Sequence, residues 1–75
     1  METREYGPQP IEAIMQENGL DNHALVAAST EQLTHKMVAK ARSGRFLSIG
    51  VRQKVLRALN HALKAEYSLK QLFNY

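Results

Sequence analysis

Between Gln32 and Arg45 the chain gathers Gln32, Thr34, His35, Lys36 and Lys40, followed by Arg42 and Arg45. Their amide, hydroxyl, imidazole and ammonium groups can exchange hydrogen bonds with polar edges, and the cations are drawn to phosphate. Set along one side of a helix, such side chains suit the base edges of a duplex. Lys36 or Lys40 can donate to guanine O6 and N7, and Gln32 can pair with adenine if the helix starts early. Each well-formed contact gives about 1–3 kcal/mol of discrimination. Thr34 and His35 complete this base-reading set. Arg42, Arg45 and Arg52, with Asn22 and the amides opening the second helix, are placed to touch phosphates, which positions a partner without specifying its sequence.

Other chemistries find less support. His23, His35 and His61 show no metal-ligand spacing and there is no cysteine, so no metal and no cofactor is expected. No serine or threonine stands in a spacing that compels a base and an orienting group beside it, so the chain reads as no enzyme. Its glycines, at positions 7, 19, 44 and 50, are dispersed rather than gathered into a phosphate loop. No small-molecule substrate is evident. Met37 lies between basic residues, where it can meet a thymine methyl, but a methionine on a short helix is more often a core filler. Lys54, Arg57, His61 and Lys64 form a ridge that reads as a solvated face. Tyr67, Tyr75, Phe46 and Phe73 are scattered and read mainly as packing residues.

The elements that must hold these groups are helical. Nine Ala and nine Leu outnumber four Val and three Ile, and the apolar residues recur three and four apart. Pro10 opens a first helix with Ile11, Ile14 and Met15 as its stripe, and Asn18-Gly19 closes it. Asp21 or Asn22 caps a second helix that buries Leu25 and Val26 and stops by Ser29-Thr30, with Leu20 packing from just outside. Ser29 to Gln32 has the spacing of a capping box for a third helix, at about residues 31–43, which begins between Thr30 and Thr34 and ends at Ser43-Gly44. Leu33, Val38 and Ala41 point inward there, leaving Thr34, His35, Lys36, Lys40 and Arg42 outside. Ser48 caps the longest helix, whose core stripe is Val51, Val55, Ala58, Leu59 and Ala62 and whose end falls near Tyr67-Ser68. A last turn capped by Ser68 presents Leu69, Leu72 and Phe73, either folding back on the first helix or joining a second copy of the chain. Residues 1–9 read as a flexible arm and residues 10–75 as one domain.

With 75 residues the chain can build one small core and no deep cleft between lobes. The net charge of +3 hides an asymmetry: residues 1–31 hold one cation and six carboxylates, net −5, and residues 32–75 hold nine cations and one carboxylate, net +8. One surface should therefore carry a strong positive potential, as expected of a protein that meets phosphates. The opening METREYGPQP has no apolar h-region, and the longest apolar run, Ala24 to Ala28, is far too short to span a bilayer. A cytoplasmic location with no membrane partner is expected.

Two short helices before a longer one, the first bracing and the second entering a groove, form a known arrangement. The chain resembles the lambda repressor/Cro-type helix-turn-helix family over roughly residues 10–60. Leu25-Val26 stands where the family has its Leu-Ala pair, and Leu33, Val38 and Ala41 match the buried triplet of the turn and recognition helix. Arg42-Ser43-Gly44-Arg45 matches that helix's basic, glycine-ended close, and Val51 to Leu59, running into Asn60, is similar to the following core helix. The resemblance implies an all-α bundle of four to five helices that binds double-stranded DNA sequence-specifically, a transcriptional regulator of bacterial repressor type. Its third helix would lie in the major groove, and dimerisation through Leu69, Leu72 and Phe73 would serve two half-sites. The alternatives are a helical protein-interaction module and an RNA-binding protein that uses the basic C-terminal half.

Overall fold

Proline at the first helical position and a left-handed glycine beyond the last one fix the first element. In the computed structural model, which describes residues 6–75, α1 runs Pro10–Glu17 and Gly19 follows at φ 66°. The Leu20 amide reaches back to the Met15 carbonyl (2.8 Å) and the Gly19 amide to Gln16 (3.2 Å). This pair of bonds satisfies carbonyls that the helix leaves unpaired and tucks Leu20 against the core. Asp21 caps α2, Asn22–Ala28, by accepting from the Ala24 amide at 2.7 Å.

The third helix is shorter than its sequence pattern suggests. Residues 29–34 form an irregular connection, and α3 spans only His35–Ser43. Ser29 Oγ accepts from the Glu31 amide (3.1 Å) and donates to the Glu31 carbonyl (3.2 Å), forming a local turn in place of the expected capping box. The cap is Thr34, whose Oγ1 accepts from the Met37 amide at 3.1 Å. Gln32 therefore lies ahead of the helix. Gly44, at φ 88°, ends α3.

Ser48 caps α4, Ile49–Leu63, which is also shorter than expected. Asn60 is the reason: its side chain accepts from the Tyr67 amide (2.8 Å) and donates to the Tyr67 carbonyl (3.1 Å), turning the chain back after Lys64. The last element, α5, is Leu69–Leu72, held at its start by Gln71 Oε1, which accepts from the Ser68 amide at 2.8 Å.

Five helices and no strand make up the described residues, and each helix contributes to one core. Ile11 and Met15 of α1, Leu25 of α2, Val38 and Ala41 of α3, and Val55, Ala58 and Leu59 of α4 are buried, joined by Leu33, Leu47, Leu72 and Phe73. Val26 and Met37 are half-buried against that core, the place expected of a filler. Of the two destinations open to the last turn, the chain takes the first: α5 packs on α1 and α4. Leu72 and Phe73, two of the three residues through which dimerisation was expected, are buried within the same chain, and Leu69 is half-buried against the core.

A flexible arm is expected over residues 1–9. Its first five positions lie outside the described residues, while residues 6–9 are tied into the fold. Gln9 is 2% exposed; its Nε2 donates to the Gly7 carbonyl (2.9 Å) and its Oε1 accepts from the Asn74 amide (2.7 Å).

Candidate nucleic-acid interface

At about 100° per residue, positions 36, 39, 40 and 43 fall on one stripe of α3, opposite the buried pair Val38 and Ala41. Lys36, Ala39 and Ser43 are exposed and Lys40 is half-buried. Ala39 and Ser43 are absent from the residues expected there, although their i+3 and i+7 spacing from Lys36 marks the stripe. Thr34 and His35 are exposed at its head, where the N-terminal end of the helix macrodipole adds positive potential and no acidic residue occupies the first turn. Neither lysine has a carboxylate partner among the described residues. Of the five expected base-reading residues, Lys36 and Lys40 share the stripe, Thr34 caps the helix start, His35 lies on the flank toward α2, and exposed Gln32 stands on the connection rather than on the helix.

His35 sits on the flank of α3 that faces α2, and its ring meets His23 edge-on at 5.7 Å between centroids. Sequence spacing gives no hint of this contact. Among the described residues no three potential ligand side chains gather as a metal site.

The expected phosphate-binding residues fare differently. Arg42 Nε donates to Glu12 Oε1 at 2.8 Å, its Nη2 bonds the same oxygen, and its Nη1 donates to Asn22 Oδ1 at 2.8 Å. Glu12, Asn22 and Arg42 together join α1, α2 and α3. A guanidinium that neutralises a half-buried carboxylate leaves that carboxylate uncompensated if it turns to a phosphate, so Arg42 and Asn22 are fold ties here. Arg52 is likewise engaged: Nε donates to the Leu47 carbonyl (3.2 Å), Nη1 to the Tyr75 carbonyl (2.9 Å), and the guanidinium carbon lies 4.7 Å from the centre of the Tyr75 ring. Arg45 is exposed on the connector between α3 and α4.

The ridge on α4 is partly neutralised as well. Arg57 makes two parallel 2.7 Å bonds to Glu31. That hydrogen bonding holds the Glu31 carboxyl below the ordinary glutamate value and raises Arg57. The pair rims a cavity of about 210 Å³, which is also lined by Ala28, Ser29, Thr30, Ala58 and His61.

Two ion pairs thus join the acidic and basic halves of the chain in space. Glu12 and Glu31 from the acidic half each cancel a cation of the basic half. Lys36 and Lys40, on the outer stripe of α3, belong to neither pair.

No family model matches the chain, and neither a curated protein nor a solved structure does. Among the described residues no helix is long and apolar enough to cross a membrane.

Proposed function

We propose that the protein binds double-stranded DNA, with α2 and α3 acting as a helix-turn-helix of lambda repressor/Cro type, and that it serves as a sequence-specific transcriptional regulator. The observation that carries this reading is the stripe Lys36, Ala39, Lys40 and Ser43, headed by Thr34 and His35, whose lysines keep their charge available while nearby Arg42 is neutralised. The 9 residues of α3 extend about 13–14 Å at ~1.5 Å per residue, and a major groove about 12 Å wide admits such a segment. In this reading Lys36 and Lys40 donate to guanine edges, Thr34 and His35 contact the bases beside them, and the Ala39 methyl suits thymine. Arg45 stands nearer the backbone.

With Arg42 and Arg52 engaged inside the fold, about three phosphates are neutralised, so log K should fall with log salt at a slope of about −2.7. Fluorescence anisotropy with random duplex DNA, duplex RNA and single strands across a salt series tests the proposal. Duplex DNA should bind best, and Lys36→Glu combined with Lys40→Glu should abolish most of that binding. Equal binding by wild type and double variant would remove α3 from the interface. Preference for RNA, or no nucleic-acid binding at low salt, would refute the DNA reading.

A further inference from the structure

The connector between α3 and α4, residues 44–47, is held from both ends of the described chain. On one side the Tyr6 amide donates to the Gly44 carbonyl at 2.7 Å. On the other, the Tyr75 hydroxyl accepts from the Leu47 amide (3.1 Å) and donates to the Arg45 carbonyl (3.1 Å). The Tyr75 ring is stacked on Tyr6, with centroids 4.2 Å apart and planes 10° apart, has Phe73 at its edge at 5.8 Å, and carries the Arg52 guanidinium over it. Arg52 closes the loop by bonding the carbonyls of both Leu47 and Tyr75.

The Tyr75 ring packs against the core, but its hydroxyl bonds lie outside it. Leu72 and Phe73 already anchor the C-terminal segment in the core, whereas Tyr75 is half-buried and its hydroxyl serves only connector backbone. The connector is also where α3 ends and Arg45 emerges, beside the proposed DNA-binding stripe. We propose that Tyr75 is a positioning residue, a latch that holds the α3–α4 connector in the shape duplex DNA binds and so couples DNA affinity to the docking of the C-terminal segment. This inference rests on the DNA reading above. Coupling of this kind is reciprocal: bound DNA should tighten the latch by the factor by which the latch tightens DNA binding.

The test combines amide hydrogen exchange at Leu47, followed by NMR, with anisotropy on duplex DNA for wild type, Tyr75→Phe, Tyr75→Ala and Leu69→Ala, at a temperature where circular dichroism shows each folded. Tyr75→Phe keeps the ring and loses both hydroxyl bonds, so Leu47 exchange should rise and DNA affinity fall, each by about three- to tenfold. Tyr75→Ala, which also removes the stack on Tyr6 and the contact with the Arg52 guanidinium, should lose more. Leu69→Ala loosens the docking of the same segment but keeps the Tyr75 hydroxyl and its connector bonds, so it should lower affinity by clearly less than Tyr75→Ala. In wild type, duplex DNA should slow exchange at Leu47. Unchanged Leu47 exchange in Tyr75→Phe would overturn the latch. Unchanged DNA affinity in Tyr75→Ala, or an equal loss in Leu69→Ala, would overturn the coupling. If wild type bound no duplex, the DNA reading and the coupling would both fall, and the exchange result would still decide the latch itself, so the failures are distinguishable.

Discussion

Replacing Gly44 by alanine should be among the most damaging single changes in the chain, and its cost can be worked from the structure. Gly44 has φ +88°, a left-handed conformation that disfavours a Cβ by about 1–2 kcal/mol. The new Cβ would stand 1.7 Å from the Gly7 carbonyl oxygen, 2.5 Å from its carbon and 2.9 Å from the Gly7 nitrogen. Those atoms are backbone, so residues 6–9 must withdraw. Withdrawal breaks the bonds from the Tyr6 amide to Gly44 (2.7 Å) and from the Gln9 amide to Arg42 (3.4 Å). At about 1 kcal/mol each, they bring the loss to about 3–4 kcal/mol, a large part of the roughly 4–11 kcal/mol expected for a domain of this size. The Tm should drop on the order of 12–30 °C. Urea unfolding followed by circular dichroism measures the loss. Gly19→Ala is the control: Gly19 has φ +66°, and an added methyl there would meet nothing within 4 Å, so it should lose only the conformational part, about 1–2 kcal/mol. Equal losses at the two glycines would show that the contact with Gly7 carries no weight.

Three further outcomes are expected. Thr34→Ala removes the cap of α3 and should cost about 1 kcal/mol in urea unfolding; a neutral result would mean that the Met37 amide finds water just as well. Glu12→Ala strips Arg42 of its half-buried carboxylate and should cost about 1–2 kcal/mol. Glu31→Ala, at a more open pair, should cost clearly less, and the reverse order in calorimetry would contradict the proposed division of roles. The third concerns acid. Glu31 is lowered from 4.5 chiefly by its hydrogen bond to Arg57, so its contribution is complete above the ordinary glutamate value and fades as pH falls through the lowered one. Glu31→Gln should therefore lower stability in the neutral region and flatten its fall below about 4.5, so that variant and wild type converge in acid, and an acid limb as steep as that of wild type would remove Glu31 as a contributor.

The helices are readable because their signals are local. Pro10, Asp21, Ser48 and Ser68 act within a turn of themselves, and so do the left-handed glycines 19 and 44. The inward residues Val38, Ala41, Val55 and Leu59 follow from the 3.6-residue period alone. Expectation and structure part where two local options compete. Ser29 can cap a helix or close a turn, and Thr34 holds the cap. Tyr67 can extend α4, but Asn60 captures its backbone instead.

An all-helical chain, the identity of most of its core, and a cluster of long polar side chains on the third helix are all written in the linear order of residues, since each depends on positions a few places apart. Packing in three dimensions settled which cations of the basic half remain available, that residues 6–9 and 73–75 meet, and that His23 faces His35. The Arg42–Glu12 bond spans 30 positions, Arg57–Glu31 spans 26, and Gln9 to Asn74 spans 65. Pairings at such separations form only once hydrophobic burial has brought the helices together, so no periodicity or cap in the linear chain records them.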